Sequence, residues 1–172
     1  MGTLQLISAK SHWLFFVTSV FAFVGVLVAC SDGSTPPHDL LLGPGDFPDQ
    51  TIIQSIQEIE DSQLAGAAVL VELNGPDFKL LESLVLFKTD ALAAKVLDEI
   101  KQDQLAQGVI AKAVEGFDGN SGVFPESLYG ESASTLFFVE GSALIRITIS
   151  GTNHADKVWE MARLARKKST SR

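Results

Sequence analysis

The sequence predicts an α+β domain behind an apolar N-terminal segment. We expect a mainly antiparallel sheet of about six strands in β-β-β-α-β-β-β-α order, with two helices packed on one face. Short apolar stretches joined by tight turn sequences predict hairpins, and therefore antiparallel strands. Two longer stretches carry apolar residues at helical spacing. A run of 17 uncharged residues, 13–29, stands apart by composition and belongs to neither pattern.

This N-terminal segment has the composition of an export signal. The residues before it are polar, and Lys10 is their only charged side chain. The uncharged run Trp13–Ala29 is followed directly by Cys30, the only cysteine of the chain. An aliphatic residue at −3 (Leu27), a small residue at −1 (Ala29) and cysteine at +1 resemble the lipobox of bacterial lipoprotein signal peptides.

That resemblance implies that the protein is anchored at the membrane by lipid. Residues 1–29 would be a signal peptide cleaved between Ala29 and Cys30, and Cys30 would carry a diacylglyceryl group. Two acyl chains suffice for stable attachment on the extracytoplasmic side of the cell membrane. Two alternatives remain open: an uncleaved transmembrane anchor, for which 17 residues is the short limit, and an ordinary secretory signal with an incidental cysteine.

The charge of the remaining chain limits its partners. Residues 30–172 hold 12 bases and 21 acids, which argues against nucleic acid as a partner because phosphate contacts need clustered cations. Six of those bases lie between Lys157 and Arg172, against one acid, Glu160. They either complement the negative end of a C-terminal helix or contact anionic lipid headgroups.

The first half of the chain begins with a tether and continues with three strands. Residues 30–39 predict a flexible tether, and the single domain spans 40–168, starting with turns in Leu40–Asp49. The strands are predicted at 51–60, 64–73 and 78–87, the last two forming a hairpin around the turn sequence NGPD.

A helix and a further strand are predicted next. The helix spans Thr89–Gln107, begins at Thr89 or Asp90, whose side chains can cap it, and ends before Gly108. Its apolar stripe consists of Leu92, Ala93, Val96, Leu97 and Ile100. The strand is predicted at 109–117.

The last third contains a loop, a hairpin and a closing helix. Residues 118–130 predict the loop, 134–139 and 143–149 the two strands of the hairpin, and 154–168 the helix, followed by a disordered tail at 169–172. The inward residues of the helix are expected to be Ala155, Val158, Trp159, Ala162 and Ala165.

The pattern after residue 40 resembles small extracytoplasmic α+β lipoprotein domains of Gram-positive and related bacteria. The resemblance lies in the leading sequence LLGPGDFP, in the strand that ends at Phe87 before LAAKVLDEI, and in the hairpin FFVEGSALIRITIS before a closing helix. Members of that group look like sensor or solute-binding domains. The resemblance implies a fold and says little about chemistry.

No motif in the sequence predicts catalysis. Nucleophile elbows, paired metal-binding histidines and glycine-rich phosphate loops are absent from the sequence. We therefore expect no enzyme, no metal and no cofactor. The expected function is a non-catalytic binding or sensing domain for an unknown small molecule, and the alternative is a structural or accessory envelope protein that docks on a protein partner.

Four aromatic residues are the predicted binding surface: Phe124, Tyr129, Phe137 and Phe138. Phe137 and Phe138 are adjacent in a strand, so their side chains point to opposite faces. One of them should enter the core, and the other should face outward beside the loop that holds Phe124 and Tyr129. A second packed layer would explain the same residues equally well.

The lipid anchor leads to a direct prediction. Cys30→Ala should abolish incorporation of labelled palmitate in the native host and leave the precursor uncleaved, because the modified residue is missing. Labelling followed by gel electrophoresis measures both effects. A wild-type chain that takes up no label would contradict the prediction.

Overall fold

The computed structural model describes residues 36–47, 51–59, 65–111 and 113–170. The predicted signal segment and Cys30 lie outside the described residues. Two short 3₁₀ turns, Pro37–Leu40 and Pro44–Asp46, open the described chain. The strands and helices that follow are β1 (Ile52–Ile59), β2 (Ala65–Asn74), β3 (Phe78–Phe87), α1 (Asp90–Ala106), β4 (Phe124–Leu128), β5 (Glu131–Glu140), β6 (Ala143–Gly151) and α2 (His154–Ser169). Within the described parts of the chain, neither helix combines the length and apolarity needed to cross a bilayer.

The six strands form one antiparallel sheet in the order β1-β2-β3-β6-β5-β4. The predicted fold class, the β-β-β-α-β-β-β-α order and the antiparallel sheet are thereby confirmed. Both predicted hairpins are present, as β2–β3 and β5–β6. The pairing of β3 with β6 joins the two halves of the chain, with Leu84 opposite Ile145 at its centre.

The two helices pack on opposite faces of the sheet, so the prediction that they share one face was wrong. Phe138 pairs with Ile145, and these residues face α2 in the main core. Phe137 pairs with Arg146 on the other side, and Phe137 packs against Leu97 of α1. Because neighbouring strand residues alternate between faces, two adjacent apolar rings require cover on both sides.

The face under α2, here called the first face, holds the main core. Its central rows come from β3, β5 and β6, and α2 adds Val158, Met161, Ala162 and Ala165. The helix does not reach across the whole face. Leu40, the last residue of the first 3₁₀ turn, and the next two residues, Leu41 and Leu42, cover the part over β2 and β3 and are each at most 3% exposed.

A buried carboxyl group fixes this leucine segment to the sheet. Glu82 of β3 has the same orientation as Leu80 and Leu84, so its side chain enters the first face and is fully buried. The backbone N–H of Leu42 donates to Glu82 Oε2 at 2.7 Å, while Oε1 has no hydrogen-bond partner among the described residues. Burial raises the pKa of Glu82 to about 8, against the opposing effects of the Leu42 hydrogen bond and of Lys168. The group is therefore neutral at pH 7.

The opposite side, here called the second face, is only partly covered. The helix α1 packs over the strands β5 and β6 of this face, where it covers Phe137 and Leu144. Leu70, Leu81 and Val85 of β2 and β3 lie on the same face and are half-exposed. The helix α1 therefore covers only the β5–β6 end of this face.

The outer edge of β5 is covered in two different ways. The strand β4 pairs only with residues 131–135 of β5. Beyond residue 135, a loop binds to the edge of β5 in place of a strand. The Ser121 N–H donates to the Phe137 carbonyl, and the Phe137 N–H donates to Ser121 Oγ, both at 3.0 Å. Gly122 follows with a φ of 78°, and a Cβ there would approach the Ile110 carbonyl to 2.8 Å.

Two local predictions were wrong in this region. Val109–Phe117 was predicted as a strand, but its described residues form turns and irregular backbone. The strand β4 lies inside the predicted loop 118–130. Its sequence FPESL contains Pro125, which has no N–H to donate and so suits an edge strand.

The strand β1 is the opposite edge of the sheet and is strongly exposed. Its Ile52, Ile53 and Ile56 side chains are 58%, 44% and 49% exposed. They point to both faces, since Ile52 pairs with Asn74 and Ile53 with Leu73. Apolar side chains along a free strand edge are typical of a surface that pairs with another chain.

The buried Glu82 predicts how stability depends on pH. The unfolded carboxyl group ionises near its ordinary pKa, whereas the folded one ionises near 8. Below the unfolded pKa both states are protonated and no stability is lost. Between the two values the unfolded state releases its proton first, so stability falls as pH rises, by on the order of 5 kcal/mol in total.

Glu82→Gln should remove this part of the pH dependence, because an amide keeps the acceptor for Leu42 and does not titrate. Urea unfolding of both proteins between pH 5 and pH 9 measures the difference, which should grow in favour of the variant as pH rises. Glu99→Gln, at an exposed position of α1, is the matched control and should keep the wild-type slope. Parallel curves for wild type and Glu82→Gln would contradict the assignment.

Candidate functional site

The structure distributes the four predicted aromatic residues over three places. Phe138 lies in the main core on the first face and is 1% exposed. Its ring makes an edge contact with Phe117, with the ring centroids 5.1 Å apart and the planes at 90°. Phe138 is thus the inward member of the adjacent pair, held between the sheet and the loop that precedes β4.

Phe124 and Phe137 lie together on the second face. Their rings stack with centroids 6.2 Å apart and planes within 5° of parallel. Phe137 is only 8% exposed because Leu97 of α1 covers it. The outward ring of the pair therefore belongs to a second packed layer, the alternative left open by the sequence.

Tyr129 is the exposed member of the set, at 63%. It occupies the turn between β4 and β5 with a φ of 51°, a conformation that is uncommon for residues other than glycine. A side-chain hydrogen bond with Glu72 raises the pKa of Tyr129. Glu72 belongs to β2, three strands away in the sheet order, so the β4–β5 turn curls over the second face.

A polar cluster lies on the second face between these aromatic residues. The Arg146 Nη2 atom donates to both oxygens of Glu126, at 2.7 and 2.8 Å, and its Nε donates to Thr148 Oγ1 at 3.2 Å. The Thr135 hydroxyl also donates to Glu126. The charged groups satisfy one another, which is the condition for stable burial of an ion pair, and this cluster is therefore structural.

Histidine and serine meet at the start of α2 without forming a catalytic arrangement. The His154 Nδ1 atom is 2.8 Å from Ser134 Oγ, and its Nε2 atom is 3.4 Å from Ser132 Oγ. A serine nucleophile needs a histidine whose second nitrogen is oriented by a carboxylate, and here both nitrogens face hydroxyl groups. Within residues 36–170, as far as the structure describes them, no three His, Cys, Asp or Glu side chains are grouped for a metal ion.

Two adjoining clefts open at the β5 edge of the sheet. The first cleft has a volume of about 250 Å³ and lies between α1, the loop at 119–120 and the end of β5. Its floor is apolar, from Leu97, Phe138 and Val139, and its rim is polar, including Asp98 and Lys101.

The second cleft has a volume of about 400 Å³ and lies between α2 and the turn at 115–117. Its lining residues are Glu115, Gly116, Phe117, Arg163, Arg166 and Lys167. Arg166 lines both clefts, so its side chain forms the wall between them.

Arg166 is held by one carboxylate and two aromatic rings. Its Nε atom is 3.0 Å from Glu140 Oε2, at the end of β5, although the angle is not that of a hydrogen bond. Its guanidinium carbon lies 3.8 Å from the ring centre of Phe117 and 5.3 Å from that of Phe138. Stacking on aromatic faces orients a guanidinium group and leaves its edge available to an acceptor.

Two other cations of α2 are paired with acids of the domain. Lys157 forms an ion pair with Asp77, and Lys168 lies 2.7 Å from Asp46. Lys168 also belongs to the last turn of α2, together with Arg166 and Lys167, where positive charge complements the helix dipole. The basic C-terminal run therefore does not form one continuous patch.

The sequence interpretation missed Arg166 because it treated the whole basic run as a solvated or lipid-facing group. Helical spacing contains the missing signal. Trp159, Ala162 and Arg166 are three and four residues apart, which places them on one stripe of α2. An arginine within an apolar stripe indicates a paired or functional cation. Gly119 and Asn120, which line the first cleft, do fall within the predicted binding loop.

Comparisons with known proteins find a similar fold. No protein-family model and no curated protein matches the sequence. The crystal structure of the extracellular domain of PknH from Mycobacterium tuberculosis matches with a TM-score of 0.56 at 11% sequence identity. The match covers 77% of this chain and 94% of that chain. At this level of identity, the similarity shows a common fold.

The packing predicts different stability effects for the aromatic residues. Phe137→Ala should lower the free energy of unfolding by about 3 kcal/mol or more, since it opens a cavity under α1. Tyr129→Phe removes one exposed hydroxyl group and should cost less than about 1 kcal/mol. Chemical denaturation of both variants measures these effects. Equal losses of unfolding free energy would contradict the buried position of Phe137 and the exposed position of Tyr129.

Proposed function

We propose that this chain is a non-catalytic binding or sensing domain, held on the extracytoplasmic side of the membrane by lipid on Cys30, and that a small molecule binds in its first cleft. The lipobox resemblance at residues 27–30 supports the anchor. The fold similarity to a domain described as extracellular supports the location.

The construction of the first cleft carries the proposal. Leu97 comes from a helix and Val139 from a strand, so the apolar floor stands on rigid elements. Asp98 and Lys101, whose Oδ1 and Nζ atoms lie 3.4 Å apart, supply charged groups at its rim. An apolar floor with a few polar groups at its rim is the usual composition of a small-molecule site.

The state of the polar side chains favours binding over catalysis. Glu126 is engaged by Arg146, and both ring nitrogens of His154 face serine hydroxyls. Catalysis by general acids and bases needs such groups to be directed at a substrate. In these two groups the polar side chains are directed at one another.

A second candidate function is docking on a protein partner of the envelope. The observation that favours it is the edge strand β1, which pairs on one side only within the described residues and where Ile52, Ile53 and Ile56 are exposed. An extended segment of a partner can add a strand to such an edge, with main-chain hydrogen bonds as the source of affinity.

The two candidates are separated by a variant that fills the first cleft. Ala94 lines the cleft on the exposed side of α1, so Ala94→Phe should occupy it without disturbing the core. Ala91→Phe adds the same ring to an exposed position of α1 outside the cleft and serves as the matched control.

The full-length protein would be extracted from its native host, and the small molecules that accompany it would be identified by mass spectrometry. We expect wild type and Ala91→Phe to retain a common molecule and Ala94→Phe to lose it. Retention by all three proteins would overturn the proposed site. A cross-linked partner that maps to β1 and is lost in Ile53→Lys, with no molecule retained, would favour docking.

A further inference from the structure

The second cleft concentrates positive charge in an acidic protein. The chain has a net charge of −8, yet three of the six residues that line this cleft are cations and one, Glu115, is an acid. Arg163 and Lys167 are one helical turn apart on α2 and are exposed, with Arg166 between them. A local excess of cations against the overall charge is the electrostatic signature of an anion site.

The guanidinium group of Arg166 presents its donors to this cleft. Its Nε atom faces Glu140, and Phe117 lies against its flat side. Its terminal nitrogens donate no hydrogen bond to any residue that the structure describes. A guanidinium group fixed in orientation, whose outer edge is bonded to none of the described residues, is prepared for an acceptor with two or more oxygens.

The backbone of the turn at Gly116 approaches the Arg166 guanidinium group closely. Gly116 has a φ of 79°, and a Cβ at this position would lie 3.3 Å from Arg166 Nη1. Any side chain there would therefore press on the nitrogen that faces the cleft. Glycine satisfies both the left-handed conformation and the close approach.

The cleft lies at the end of the domain where the chain continues toward the predicted anchor. The strands β1 and β5 run in the same direction, so Glu58 and Glu140, near their C-terminal ends, mark one end of the sheet. Glu140 contacts Arg166, and Glu58 accepts a hydrogen bond from His38, two residues into the described chain.

From these observations we infer that the second cleft binds a phosphate-type anion, with Arg166 as the bidentate donor and Arg163 and Lys167 as additional positive charge. Several oxygens and a high negative charge match a fork of N–H donors flanked by cations. The same chemistry is offered by a soluble phosphate ester and by the headgroup of an anionic lipid. The inference concerns a different cleft from the proposed small-molecule site and does not depend on that site.

The test measures amide hydrogen exchange of residues 113–118 in the full-length protein, reconstituted in nanodiscs. One arm adds inorganic phosphate to nanodiscs of phosphatidylcholine, at constant pH and ionic strength. The other arm adds phosphatidylglycerol to the nanodiscs without phosphate. Binding in the cleft should slow the exchange of this segment, since a ligand stabilises the closed state of the residues that it contacts.

Three variants make the test specific. Arg163→Glu reverses an exposed charge of the cleft and should abolish the protection. Lys88→Glu makes the same charge change just after β3, at the same end of the sheet but outside the cleft, and should keep it. Arg166→Lys keeps the charge but loses the fork, so the protection should weaken; its thermal midpoint shows whether the fold is intact.

Each outcome decides the inference. Protection by phosphate alone supports a soluble anion, and protection by phosphatidylglycerol alone supports a headgroup. No protection in either arm overturns the inference, as does protection that survives in Arg163→Glu. Ala94→Phe should leave the anion response unchanged, so failure of the small-molecule site and failure of the anion site are distinguishable.

Discussion

Two adjacent phenylalanines in the middle of β5 determine how this domain is covered. Phe137 and Phe138 point to opposite faces of the same sheet, so each face must bury one large ring. The chain has two long helices in its described part, and one lies on each side at this point: α2 over Phe138 and α1 over Phe137. Neither face is covered by a helix alone, and loop segments and polar side chains cover part of the remaining area.

Different residues cover the area beside the helix on the two faces of the sheet. On the first face, three consecutive leucines and Phe117 complete the core beside α2. On the second face, the charged cluster around Arg146 and the curled β4–β5 turn occupy the area that α1 leaves open. The clefts also result from incomplete coverage of the sheet. They lie where the loop replaces β4 along the edge of β5.

The sequence predicted the elements well because their signals are local. The hairpin sequence around residue 75 and the helical stripe of α1 both depend on neighbours within a few residues. The distribution of helices over the two faces depends on long-range packing, which one sequence does not reveal. The unusual positions of two polar residues could nevertheless have been predicted from periodicity. Glu82 shares its strand face with Leu80 and Leu84, and Arg166 shares its helical stripe with Ala162. Polar residues at apolar positions of a periodic pattern are where a functional or structural exception should be sought.

The contact between Leu42 and Glu82 has a mechanical consequence. The leucine segment opens the predicted domain, and Leu42 binds it to the central strand β3, while His38, just before it, contacts Glu58 of the edge strand β1. A pull on the N-terminal side of this segment acts first on the exposed contact between His38 and Glu58, and then on three buried leucines and on one hydrogen bond to a buried carboxyl group. Tension would therefore expose an acid that ionises as soon as water reaches it, and the charged group would oppose the return of the segment. Return of the leucine segment to the sheet would thus require the carboxyl group of Glu82 to regain its proton.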